Sequence, residues 1–118
     1  MCFEMIKTHI TLDFYQAEPQ ILAMSEDLKK AINNSLKILD LEVKQDSYIQ
    51  FEPQGVTATV VGENFHFSIH TWPEHGSCAI DLYSSSDYAF ARTIADALKE
   101  AFKAQEYDIK VLDRSHNK

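Results

Sequence analysis

The 118-residue sequence predicts an α+β fold, a two-layer sandwich in which one antiparallel sheet carries two helices on one face. Three observations carry that prediction. Apolar and polar residues alternate over several short segments; two longer segments repeat their apolar residues at helical spacing instead; and the middle strands follow one another through turn-rich links. At 45% hydrophobic and 25% charged, with three glycines and three prolines, the composition is that of one ordinary globular domain spanning 1-118.

The first strand is predicted over Lys7 to Phe14. Ile6, Thr8, Ile10, Leu12 and Phe14 share one parity, and Lys7, His9, Thr11 and Asp13 the other. Between Pro19 and Leu39, the residues Ile21, Leu28, Ile32, Leu36 and Leu39 recur at helical spacing, with Pro19 and Ser25 both acceptable near the helix start. Leu41 to Phe51 reads as a second strand, ended by the turn Glu52-Pro53-Gln54-Gly55. Val56 to Val61, Phe65 to Trp72 and Ser77 to Tyr83 form an antiparallel meander joined by Gly62-Glu63-Asn64 and Pro73-Glu74-His75-Gly76. Ser86 is the expected N-cap of the second helix, whose apolar face is Phe90, Ile94, Ala97, Leu98 and Ala101. Tyr107 to Leu112 closes the sheet, and the polar tail after it is expected to fray. The sheet face away from the helices keeps apolar and aromatic side chains, which predicts pairing of two copies through their sheets.

A formal net charge of −7 argues against a nucleic-acid partner, because neutralising phosphates requires clustered Lys and Arg. It is compatible with a cationic small ligand. No apolar run approaches the roughly 20 residues needed to span a bilayer, so no membrane partner is expected and the cytoplasm is the expected location. Cys2 and Cys78 form neither a disulfide framework nor a metal-binding pair.

Chemistry concentrates in the strand from Phe65 to Trp72. His66, Ser68 and His70 point to one face, and Phe65, Phe67, Ile69 and Thr71 to the other. His66 and His70 stand four residues apart, roughly 13 Å on a strand, too far to share one zinc; no metal site is expected. Ser68 lacks the flanking glycines and strained turn of a hydrolase nucleophile. Trp72, followed by Pro73-Glu74, suits the mouth of a pocket, and equally a surface-anchoring aromatic at a strand end.

The segments Phe51-Glu52-Pro53-Gln54-Gly55-Val56-Thr57, Ser68-Ile69-His70-Thr71-Trp72-Pro73-Glu74-His75-Gly76 and Ala79-Ile80-Asp81 closely resemble the prokaryotic S-adenosylmethionine decarboxylase family. The resemblance runs from the opening strand to Asp113-Arg114. It implies a pyruvoyl-dependent enzyme of spermidine synthesis, made as a proenzyme that cleaves itself at a Glu-Ser bond, with helices on one side of an antiparallel sheet and two protomers joined through their sheets. By that resemblance His70 matches the histidine that assists processing, and Thr57 falls where the family has a processing serine. Trp72 and Glu74 complete the HTWPE motif, and with His66 they are the candidate contacts for S-adenosylmethionine or a related ligand.

The chemical centre departs from the pattern. Aligned back from His70 without a gap, the cleaved pair falls on Asn64-Phe65, so the self-cleaving serine is a phenylalanine. The family's proton-donating cysteine falls on Ser85, a far weaker acid than a thiol. No pyruvoyl cofactor is expected here, and without that carbonyl a decarboxylation has no sink for its carbanion electrons. Relocation to Ser68 is disfavoured because it lies on the opposite strand face from position 65; Cys78 differs in parity from position 85, which on a regular strand puts it on the other face. The expectations that follow are a non-processing ligand binder, working as a homodimer or with an active paralogue; an enzyme of altered chemistry, hydrolysis or elimination, using His66, His70 or Glu74 as base; or a decarboxylase processed unconventionally.

Overall fold

The computed structural model describes residues 5–114. Its elements are β1 (Thr8–Tyr15), α1 (Pro19–Ala23), α2 (Ser25–Ile38), β2 (Gln45–Gln50), β3 (Val56–Val61), β4 (Phe65–Trp72), a 3-10 turn (Pro73–His75), β5 (Ser77–Ser84), α3 (Tyr88–Ala101) and β6 (Glu106–Asp113). The six strands form one antiparallel sheet in the order β2-β3-β4-β5-β1-β6. The predicted sandwich is therefore observed, and Cys2 and the tail beyond Arg114 lie outside the described residues.

Alternation decides which face is covered. Ile10, Leu12 and Phe14 of β1, Val56, Ala58 and Val60 of β3, Phe65, Phe67 and Ile69 of β4, and Cys78, Ile80 and Leu82 of β5 are all buried on one face. Leu28, Ile32 and Leu36 of α2 and Ile94, Ala95 and Leu98 of α3 join them in one core. The other face is open. Its middle is more polar than the sequence reading expects: Thr11, Asp81, Ser68 and Thr59 make one cross-strand row, beside a row of rings from His9, Tyr83 and His66.

Three boundaries differ from expectation. The helix predicted from Pro19 to Leu39 is broken at Met24, whose backbone is extended, so Pro19 and Ser25 each begin a helix. The break is held from far away: Ser25 N–H donates to Gln50 Oε1 at 2.6 Å, while the Ala23 carbonyl accepts from Gln50 Nε2 at 3.0 Å and from Gly55 N–H at 2.9 Å. Strand pairing of β2 begins only at Gln45, because Leu41 N–H turns back to the Leu36 carbonyl and closes α2, with Asp40 left-handed at φ 58. The cap of α3 is Asp87, which accepts from Phe90 N–H at 3.0 Å, not Ser86. Ser86 is otherwise engaged, its N–H on Ser84 Oγ and its carbonyl on the Thr8 hydroxyl. Among the described residues no helix is long and apolar enough to cross a membrane.

Cys78 belongs to the core at 2% exposure, and burial pushes its thiol up to about 12 from the ordinary 9.0. At pH 8 the folded thiolate fraction is then about one in ten thousand. Iodoacetamide is expected to leave Cys78 unmodified in the folded chain and to alkylate it in denaturant, as read by peptide mass mapping. The sign of the pH effect follows: an acid that titrates higher when folded favours the unfolded chain once it ionises. This contribution to stability is complete below about pH 9 and is lost as pH rises toward 12.

Candidate ligand-binding and cleavage-related site

The first group of candidate residues sits where β3 turns into β4. Gly62 N–H donates to the Phe65 carbonyl at 2.8 Å, leaving Glu63 and Asn64 as the two loop residues. Strand parity sends the Phe65 side chain into the core, where it is 1% exposed and packs against Phe67 and Phe90 with ring centroids 6.1 and 6.5 Å away. The ring also fills the space above Gly62: a β-carbon there would lie 2.1 Å from Phe65 Cε1. Beside it, the Asn64 carbonyl accepts from Ser85 N–H at 3.1 Å, and the Ser85 hydroxyl is 3.5 Å from the same oxygen. Ser85 is itself only 7% exposed. The carbonyl preceding residue 65 is thus polarised by two donor groups, and the side chain that follows it is a benzyl group without oxygen.

The second group is at the far end of β4. Thr57 pairs with His70 across β3 and β4, and Thr57 Oγ1 lies 3.1 Å from His70 Nδ1. Trp72 is 44% exposed, its ring tilted against that of His70 at 6.5 Å. Between these outward side chains Thr71 points inward and fastens the strand end, accepting from Val56 N–H and donating to the Leu22 carbonyl, both at 2.9 Å. Glu74 is exposed on the 3-10 turn, which Gly76 ends in a left-handed conformation at φ 62.

The structure adds residues that the sequence reading did not assign. Phe51, 51% exposed, continues the open-face parity of Ile49, and its N–H donates to the Gly55 carbonyl at 2.8 Å. Continuing the β3–β4 register from Thr57 and His70 places Gly55 opposite Trp72. Phe51 and Trp72 therefore flank a position with no side chain, at a φ of 110 that favours glycine. The signal was available in the quoted Phe51-Glu52-Pro53-Gln54-Gly55 segment, as an aromatic just before a turn that exposes it. The row of rings is also new: His9 stacks on Tyr83 at 4.2 Å and His66 on Tyr83 at 5.3 Å, with His9 Nε2 3.4 Å from Asp81 Oδ1. His66 belongs to this row and not to the Thr57–His70 group.

The two groups are not one site within the chain. His70 stands five residues beyond Phe65 on β4, about 16 Å at roughly 3.3 Å per residue, and on the opposite face. The single catalytic strand that the sequence suggests is therefore two separate ends, one closed and one open. Ser68 faces away from Phe65 as expected. Cys78 is remote from Ser85 for a different reason than parity: it lies seven residues back along β5, whereas Ser85 lies beyond the end of that strand. No group of three His, Cys, Asp or Glu side chains arranged to hold a metal is found among the described residues.

The model of the S-adenosylmethionine decarboxylase family matches residues 8–115. The S-adenosylmethionine decarboxylase proenzyme of Hydrogenobaculum sp. is 32% identical over 106 residues, covering 90% of this chain and 79% of its own. That of Sulfurihydrogenibium sp. is 36% identical over 104 residues, covering 88% and 71%. The crystal structure of the Aquifex aeolicus adenosylmethionine decarboxylase superposes with a TM-score of 0.85 at 29% identity, covering 98% of this chain and 95% of that one. The Trypanosoma brucei AdoMetDC structure, at 16% identity and a TM-score of 0.60, shares the fold over 45% of its length. With the match spanning nearly every element from β1 to β6, the chain belongs to the S-adenosylmethionine decarboxylase family.

Proposed function

We propose that this member of the family, whose context is polyamine synthesis, does not convert itself to a pyruvoyl enzyme and instead binds S-adenosylmethionine or a similar cationic ligand. One observation carries the reading: the cleavage end is closed by a buried Phe65, while at the other end Trp72 is exposed and Thr57 stays paired with His70. A pyruvoyl group does not fit position 65, because its precursor must bring a hydroxyl to the Asn64 carbonyl and phenylalanine brings none. The open end suits the ligand chemically. Phe51 and Trp72 offer faces to a planar ring, and the exposed Glu74 carboxylate offers a partner to a sulfonium or ammonium group.

Two measurements test this. The intact mass of the purified protein is expected to be that of one uncleaved chain; two fragments summing to it, the larger with a blocked N-terminus, would overturn the reading. Calorimetry is expected to show S-adenosylmethionine binding that weakens about tenfold or more in Trp72→Ala, consistent with loss of one stacking surface. No heat even at millimolar ligand would remove the ligand surface from the proposal. A second reading, turnover by a base at this end, is favoured only by the 3.1 Å contact between Thr57 and His70. Chromatography of the ligand after incubation separates the two: recovery unchanged supports binding, and a product supports turnover.

A further inference from the structure

The helix layer, on the opposite side of the molecule from the open sheet face, carries a groove that neither the core nor the ligand reading uses. It lies between α2 and α3 and has a volume of about 740 Å³. The groove exists because the residues lining it are short. Ala31, Ala97 and Ala101 offer only methyl groups, and the Ser35 hydroxyl is turned onto the Ala31 carbonyl at 2.9 Å and the Ala97 carbonyl at 3.4 Å. Ile21, from the short α1 just ahead of α2, adds to the lining at one end. At the other end stands Ile38, 82% exposed, the most exposed large apolar side chain among the described residues. An apolar groove and an apolar knob therefore adjoin on one surface.

Charge says what fits it. The first turn of α2 holds Glu26 and Asp27, and its last turn holds Lys37. None of the three is ion-paired among the described residues. Successive helical residues are turned by roughly 100°, which puts Glu26, Lys30, Asn33 and Lys37 on one flank of α2. That flank borders the row of Asp27, Ala31, Asn34 and Ile38, which lines the groove. One end of the surface is thus acidic and the other basic, so the surface is complementary to its own reverse.

We propose that this groove is a self-association surface occupied by the same surface of a second copy of the chain. The two α2 helices lie antiparallel about a twofold axis that passes between Ala31 and Ile32. In that register Glu26 of each copy faces Lys37 of the other, and Lys30 faces Asn33. Each Ile38 comes over the Ile21 end of the opposite groove, and the alanines at the middle let the helices approach closely. The alternative parallel arrangement sets Glu26 on Glu26 and Lys37 on Lys37 and aligns the two helix dipoles. Because the twofold repeats each contact, both charge pairs and both isoleucines are used and the assembly closes. The surface is independent of the sheet face, so the pairing is expected whether or not the sheets also pair.

The experiment reads the mass of the full chain in solution by light scattering on the eluting peak. Ile38→Glu removes the knob at an exposed position and is expected to halve the mass of the assembly with an unchanged circular dichroism spectrum. Equal masses for the unaltered chain and Ile38→Glu overturn the proposal. Two charge reversals then test the register. Lys37→Glu alone and Glu26→Lys alone each set like charges together at both contacts and are expected to weaken association about tenfold or more. Mixed in equal amounts they restore both contacts, Glu26 with Lys37 in one and its reverse in the other, and the full mass is expected to return. A mixture that associates no better than either variant alone overturns the antiparallel pairing.

A covalent trap reads the same geometry without depending on affinity. In a Cys2→Ser background, Glu26→Cys on one copy and Lys37→Cys on the other are oxidised together. Facing positions join, whereas two copies of the same position stand about 16 Å apart along the helix, eleven residues at roughly 1.5 Å each. Mixed 26-to-37 disulfides are expected to exceed like-with-like products about tenfold. An excess of like-with-like products, or no disulfide at all, overturns the proposal.

Discussion

Replacing Phe65 by serine is expected to destabilise the folded chain by about 3–5 kcal/mol, the usual cost of removing a buried aromatic ring. The ring is 1% exposed and touches Phe67, Phe90 and the bare α-carbon of Gly62, so no neighbour is placed to collapse easily into the vacated space. For a domain of this size the loss corresponds to a fall in Tm of about 10–20 °C. Thermal unfolding followed by circular dichroism reads it directly. Phe65→Leu, which keeps most of the apolar volume, is expected to cost less than about 1.5 kcal/mol. If serine costs no more than leucine, the ring is not a structural plug and the closed end must be reconsidered. The functional consequence follows from the same burial: the hydroxyl cannot be restored at this position without taking away a piece of the core.

Which parts of this arrangement were legible follows from whether their causes are local. Strands β1, β3, β4 and β5 were readable because one face is buried, and a period of two leaves its mark in every residue from Thr8 to Phe14 or Phe65 to Trp72. The break at Met24 was not readable, because what holds it is Gln50 and Gly55 from a hairpin far along the chain. Ser86 was the expected cap, and the helix instead starts one residue later on Asp87, with the Ser86 backbone held by the Thr8 and Ser84 hydroxyls.

At the site, parity alone told that Phe65 points away from His70. The spacing of five residues already implied that the two are far apart, but a motif quoted as one string hides the length of an extended strand. Phe51 was missed because its value lies in what surrounds it: a glycine at positive φ on one side and Trp72 across the row. The stack of His9, Tyr83 and His66 joins three strands, and sequence distance gives no hint of it.

Gly62→Ala is expected to destabilise the unaltered chain by about 2–3 kcal/mol, against the usual direction for removing a glycine. Elsewhere such a change stabilises by about 0.4–1 kcal/mol through the unfolded state, and Gly62 is not among the glycines with positive φ. Here the new β-carbon would lie 2.1 to 2.7 Å from three carbons of the Phe65 ring, so the ring or the hairpin must move. In a Phe65→Ser background the obstacle is gone and the added methyl occupies part of the cavity, so the same change should cost less than about 0.5 kcal/mol or help. The coupling between the two positions is therefore expected to be about 2 kcal/mol, read from chemical denaturation of the four proteins in the cycle. Additivity within about 0.5 kcal/mol would mean that Gly62 is there for its backbone alone. A coupling of the expected size makes position 65 and the hairpin one unit. The turn is then shaped around a ring, and a serine placed there enters a hairpin whose geometry was set by the residue it replaces.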